Sequence, residues 1–127
     1  MTAARAILPD TSVWVAHFRC ADVTLQEMLR AGRVRMHPYI VSELALGSLV
    51  DRLRTLADLR SLPQSPVAEQ LEVDRLIENR HLFSRGIGFV DLHLIASALL
   101  DGNTAIWTLD KRFAGVAEEL GLRTQVH

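Results

Sequence analysis

The sequence has a single cysteine, no long apolar segment and almost no net charge, and each of these features disfavours a class of protein. Cys20 is the only cysteine among 127 residues, so no internal disulfide can form and we expect a reducing, cytoplasmic environment. No apolar run approaches the roughly 20 residues that a membrane-spanning helix needs, and the first residues lack a secretory pattern. The formal net charge of −1 disfavours a protein that holds nucleic acid by its overall charge.

What remains is the composition of a folded globular protein. Hydrophobic residues make up 49% and charged residues 23%, and the length predicts one domain over residues 1–127. Short apolar segments predict strands at 5–9, 34–37 and 105–108, with a possible last strand at 122–126. Helices are predicted at 11–18, 23–31, 38–50, 51–62, 67–79, 91–101 and 111–120. This alternation predicts an α/β fold with a mostly parallel sheet flanked by helices.

Four acidic residues stand out by their positions: Asp10, Glu43, Asp91 and Asp110. Asp10 and Asp110 follow predicted strands, at the end of a parallel sheet where ligands bind. Glu43 is the only charged residue in 38–50, and burying it would require a compensating charge; a solvent-facing glutamate is the alternative. Taken singly, the three aspartates are explained equally well as helix caps or first-turn residues.

Together the four acids predict a metal site. Carboxylates that crowd together repel one another unless a cation neutralises them. Oxygen ligands without clustered cysteine or histidine favour Mg²⁺ or Mn²⁺. Such an ion can activate a water molecule and stabilise the leaving oxygen of a phosphodiester. The set therefore indicates phosphodiester hydrolysis.

Four segments resemble the motifs of PIN-domain ribonucleases, and most closely those of the VapC-like toxins of bacterial toxin–antitoxin pairs. They are Asp10-Thr11-Ser12-Val13-Trp14, Glu43 in an early helix, Gly88-Phe89-Val90-Asp91, and Trp107-Thr108-Leu109-Asp110-Lys111-Arg112-Phe113. The resemblance covers essentially the whole chain, and the four motifs in this order are more specific than any one of them. Pro9 departs from the pattern, because an ordinary strand residue is expected before the first aspartate.

The resemblance implies a three-layer PIN fold with an acidic pocket that binds Mg²⁺ or Mn²⁺. Metal binding and catalysis carry over to the four acids: Asp10, Glu43, Asp91 and Asp110. Thr11, Ser12 and Thr108 match polar positions beside the pocket, where we expect them to support the acids or contact phosphate. The implied activity is endonucleolytic cleavage of RNA, often tRNA or ribosomal RNA. The implied partners are a cognate antitoxin, through which operator DNA is bound, and a second copy of the chain.

Basic residues near the acids are further candidates for binding RNA. Arg85 lies in the loop before Asp91, and Lys111 and Arg112 follow Asp110. Each is placed to guide RNA phosphates towards the pocket. An ordinary solvated surface is the alternative explanation for all three.

Several other side chains are assigned to the core or to an interface. Trp14 and Trp107 are interpreted as core residues rather than base-stacking ones. Leu53, Leu56 and Leu59 share a helix face that we expect to lie partly in a dimer or antitoxin interface.

Two other functions stay open. One is a PIN-like module that binds RNA or a partner without cutting RNA. Some members of the family have lost acids, but all four are present here. A phosphatase of the haloacid-dehalogenase type needs a second aspartate two residues after Asp10, where Ser12 stands.

His93 is interpreted as a polar tip at the edge of the core, not as a ligand.

Overall fold

The computed structural model describes residues 4–124 and 126, in which two strands are separated along the chain by six helices and followed by a seventh. In chain order they are β1 (Ala6–Pro9), α1 (Thr11–Arg19), α2 (Val23–Arg30), α3 (Pro38–Ala45), α4 (Arg52–Ser61), α5 (Gln70–Asn79), α6 (Phe89–Asp101), β2 (Thr104–Trp107) and α7 (Lys111–Glu119). β1 and β2 pair in parallel, with Ala6 opposite Thr104 and Pro9 opposite Trp107. Pro9 is thus accommodated as the last residue of its strand.

Isolated parallel bridges extend this pair on both sides. The bridged residues are Ile7 with Val34, Met36 with Gln64, and Ile106 with Arg123. Every residue of β1 and β2 is buried, and because successive strand side chains point to opposite faces, both faces of the sheet are covered. The predicted α/β class with parallel strands between helices is confirmed.

α6 is the central helix of the core. Leu92–Ala98 are all buried, whereas a surface helix would bury one stripe only. Trp14 and Trp107 are each 3% exposed, which confirms that both belong to the core. In the described part of the chain, no helix is long and apolar enough to span a membrane.

Several predicted boundaries are wrong. α3 ends at Ala45 instead of Val50, because Gly47 and Ser48 are weak helix formers. α5 begins at Gln70 instead of 67, since Glu69 caps it by donating its N–H to Glu72 Oε1 at 2.9 Å. The predicted strand 34–37 forms only isolated bridges, one on each of its two sides. In the last predicted strand, 122–126, one bridge is described, and Gln125 lies outside the described residues.

His93 is deeper than predicted. It is 2% exposed rather than at the edge of the core, and neither ring nitrogen has a hydrogen-bond partner among the described residues. Its ring packs edge-on against Tyr39 and Phe89, with centroid distances of 4.6 Å to each. The sequence did not reveal how deeply His93 is buried. This depth arises because α6 is buried on all sides over Leu92–Ala98, and because His93 packs against aromatic rings from both α3 and α6.

On α4 the expected leucine face is divided between core and solvent. Leu56 and Leu59 are buried, but Leu53 is 85% exposed. The exposed leucine leaves an apolar contact surface available, and the prediction of an interface there stays a prediction.

Candidate active site

Asp10 lies directly after β1, at the carboxyl end of the sheet. Its Oδ1 accepts a hydrogen bond from the Val13 N–H at 3.2 Å and so caps α1. The hydroxyls of Ser12 and Thr108 donate to Oδ1 and Oδ2 respectively, each at 2.5 Å. Burial raises the pKa of this carboxyl even though the hydrogen bonds act to lower it. Asp10 is therefore a tightly held carboxylate at a cost in solvation.

Asp110 lies just beyond β2 and is tied to Asp10 through one hydroxyl. Thr108 Oγ1, which donates to Asp10, also accepts a hydrogen bond from the Asp110 N–H at 3.0 Å. Asp110 Oδ1 accepts from the N–H groups of Arg112 and Phe113, at 2.9 and 3.1 Å, and caps α7. The ends of the two paired strands thus present two acids in a fixed relation.

The other two acids lie on helices. Glu43 is on α3 and is exposed, so the solvent-facing alternative is the one the structure adopts; the hydroxyl of Thr11 donates to its Oε1 at 2.5 Å. Asp91 is the third residue of α6, and its Oδ2 accepts from the Gly88 N–H at 3.1 Å. Each helix-borne carboxylate therefore has a single hydrogen bond in the described part of the chain.

Asp91 interacts electrostatically with the other three acids. Burial raises the pKa of Asp91, and the negative charges of Asp10, Asp110 and Glu43 raise it further, against the lowering effect of the Gly88 N–H. Repulsion from all three other carboxylates places Asp91 within electrostatic reach of each of them. The structure thus places Asp91 near the other three acids that the sequence singled out, and their role as one metal site stays a prediction.

Helix capping and a ligand site are compatible here. The capping bonds use Oδ1 of Asp110 and Oδ2 of Asp91. Oδ2 of Asp110, Oδ1 of Asp91 and Oε2 of Glu43 have no hydrogen-bond partner among the described residues. Each of these three carboxylates therefore keeps an oxygen available for a ligand.

Among the described residues, no basic side chain forms an ion pair with any of the four acids. The ion pairs found among the described residues, Arg85–Glu119 and Arg123–Glu118, lie elsewhere. A set of carboxylate oxygens with uncompensated charge fits a hard divalent cation chemically. As the side chains are placed, no three His, Cys, Asp or Glu residues in the part described are arranged to hold a metal ion.

The three basic candidates differ in their surroundings. Arg85 donates from Nη2 to Glu119 Oε1 at 2.7 Å, whereas Lys111 and Arg112 are exposed. Arg112 packs on Gly86, where an added Cβ would lie 2.6 Å from Arg112 Cδ. The sequence analysis did not reveal this contact between Gly86 and Arg112. The residue type was the available signal, since a φ of +77° at this position favours glycine.

Comparison with known proteins agrees with this fold. The PIN domain family matches residues 7–119, a range that includes all four acids, and the chain belongs to this family. It is similar to "Ribonuclease VapC32" of Mycobacterium tuberculosis, from strains CDC 1551 / Oshkosh and ATCC 25618 / H37Rv. In both, identity is 44% over 116 residues, which is 91% of this chain and 94% of the relative. The predicted resemblance to VapC-like PIN-domain nucleases is confirmed.

Proposed function

We propose that this protein is a metal-dependent endoribonuclease whose catalytic and metal-binding residues are Asp10, Glu43, Asp91 and Asp110. One observation carries the proposal: Asp91 interacts electrostatically with Asp10, Asp110 and Glu43, Asp10 is buried, and none of the four has a basic partner in the described part of the chain. Such an arrangement is unfavourable without a cation. The name of the relatives, a ribonuclease, supports RNA as the substrate.

Mg²⁺ or Mn²⁺ bound by these carboxylates would supply the charge that activates water and stabilises the leaving oxygen of the phosphodiester. The chain's own residues orient the acids. Ser12 and Thr108 fix the plane of the Asp10 carboxylate through two hydroxyl hydrogen bonds. Thr11 restrains Glu43 by donating to one oxygen. The oxygens without hydrogen bonds are available to bind the metal or to accept a proton from the attacking water.

The biological role extends this proposal. The protein acts as the toxin of a cytoplasmic toxin–antitoxin pair. Its substrate is tRNA or ribosomal RNA. The chain is one domain and forms a homodimer. An antitoxin restrains it and mediates binding to operator DNA. Two observations support a protein partner. A groove of about 700 Å³ borders Glu43, and three large apolar side chains are exposed: Leu46, Val50 and Leu53. Co-purification with the product of the neighbouring gene, and sedimentation of the purified chain, test these partners.

Asp10→Asn tests the nuclease directly. Asn keeps an oxygen that can cap α1 but removes the charge, so we expect cleavage of total cellular RNA with Mg²⁺ or Mn²⁺ to fall at least about 100-fold. EDTA should abolish cleavage by the wild type. Asp22→Asn is the matched control, because Asp22 Oδ1 caps α2 in the same way, accepting from the Leu25 N–H at 2.9 Å.

If Asp10→Asn cleaves like the wild type, Asp10 is a helix cap and the proposal is wrong. If no preparation cleaves RNA but RNA is retained, the protein is instead a PIN-like module that binds without cutting. Equal losses in both variants would indicate a general effect of removing a capping charge.

A further inference from the structure

Arg112 lies across the loop that leads into α6. Its N–H donates to Asp110 Oδ1 at 2.9 Å, so the residue lies in the first turn of α7 beside one acid. Its side chain reaches Gly86: a Cβ built there would lie 2.6 Å from Arg112 Cδ and 2.9 Å from Nη1. Gly86 is two residues before Gly88, whose N–H donates to Asp91 Oδ2 at 3.1 Å. Arg112 therefore connects the start of α7 to the loop that positions Asp91.

Gly86 provides the room for this side chain. Its φ of +77° is a conformation that other residues rarely adopt, and any β-carbon would collide with Arg112. Gly102 offers a comparison, because its φ is +79° but nothing lies within 4 Å of where its Cβ would be. The two glycines share a backbone conformation and differ in the contact with Arg112.

The guanidinium of Arg112 has no carboxylate partner in the described part of the chain, although Asp110 is close in sequence. Arg85, in the same loop as Gly86, is instead paired with Glu119 at 2.7 Å. Guanidinium groups bind phosphate oxygens through a planar fork of N–H donors.

We propose that Arg112, whose side chain lies over Gly86, binds a phosphate of the RNA strand next to the cleaved bond. This inference rests on the proposed ribonuclease function. It separates Arg112 from Arg85, since Arg85 would have to leave Glu119 before it could contact RNA. Gly86 acts as a positioning residue, because a β-carbon at this position would displace the Arg112 side chain from where it lies.

RNA binding can be measured without cleavage in the Asp10→Asn variant, using a fluorescein-labelled single-stranded RNA of mixed sequence. We expect Arg112→Gln to weaken binding about tenfold at moderate salt. We also expect the slope of log affinity against log salt to decrease by about 0.7, the value for one phosphate contact to a single strand. Arg85→Gln, the matched control, should change affinity by about twofold or less.

Gly86→Ala tests the positioning role. It should weaken RNA binding about as much as Arg112→Gln, and the double variant should bind like Arg112→Gln alone, because both changes remove one contact. Gly102→Ala introduces similar backbone strain at an empty position and should leave the affinity and the salt slope unchanged.

Two results overturn the inference while leaving the nuclease intact. One is an Arg112→Gln variant that binds RNA with unchanged affinity and salt slope. The other is a Gly86→Ala variant that binds like Gly102→Ala. Failure of every variant to bind RNA, together with no cleavage by the wild type, would overturn the proposed ribonuclease function and this inference with it.

Discussion

Asp10 and Asp110 are held by backbone and hydroxyl groups at the ends of two paired strands, whereas Glu43 and Asp91 each accept one hydrogen bond on separate helices. Asp10 accepts three such bonds and Asp110 two. Restrained side chains lose little entropy on binding a ligand, and loosely held ones can adjust to it. One half of the acid cluster is therefore formed in advance, and the other half can move towards a cation.

Glu43→Gln should show the largest contrast between activity and stability. We expect cleavage to fall about 100-fold, because a charged ligand is lost. The free energy of unfolding should change by no more than about 0.5 kcal/mol, since Glu43 is exposed and Gln can still accept from Thr11. Cleavage kinetics and urea unfolding measure the two effects. Glu27→Gln, at an exposed site on α2, is the control, and equal activity in both variants would remove Glu43 from the site.

Thr108→Val should disturb the half of the acid cluster formed by Asp10 and Asp110. The change leaves Asp10 Oδ2 and the Asp110 N–H without the hydroxyl that joins them. We expect a loss of about 1–2 kcal/mol in unfolding free energy and about tenfold in cleavage rate. Thr108→Ser keeps the hydroxyl and should retain most of both. If Val and Ser behave alike, this hydroxyl does not hold the two acids together.

His37, which caps the helix that carries Glu43, should make the free energy of unfolding sensitive to pH. Its Nδ1 caps α3 by accepting from the Tyr39 N–H at 3.0 Å, and burial, with a smaller contribution from His93, lowers its pKa to about 4. The unfolded chain binds this proton near pH 6.5 and the folded chain does not. Stability is therefore fully present above pH 6.5 and is lost as the pH falls towards 4.

Between pH 7 and pH 5.5 we expect this effect to cost about 1 kcal/mol in unfolding free energy. His37→Asn keeps a capping oxygen but cannot titrate, so its stability should depend less on pH over this range. Hydrogen exchange should show α3 opening in mild acid before β1. The raised pKa values of Asp10 and Asp91 act in the opposite direction, favouring the fold in acid, and cancel in the comparison of the two variants. Identical pH profiles would rule out His37 as the cause.

The positions of Asp10 and Asp110 were largely predictable from sequence. In a parallel α/β fold, an acid that directly follows a buried strand lies at the carboxyl end of the sheet, where ligands bind. The positions of the helix-borne acids were less predictable. Glu43 was considered as a buried acid because its neighbours are apolar, but α3 turns that side chain to solvent. The contact between Gly86 and Arg112 joins residues far apart in the chain and depends on a positive φ. Composition and periodicity do not contain such information.

The most direct test of a shared cation site is Mn²⁺ binding to the wild type, Asp10→Asn and Asp22→Asn, followed by electron paramagnetic resonance. If both halves of the cluster bind one cation, Asp10→Asn should bind Mn²⁺ at least about tenfold more weakly, since it loses a charged ligand. Asp22→Asn should bind like the wild type. Equal affinity in all three proteins would contradict the proposal that these carboxylates form a metal site.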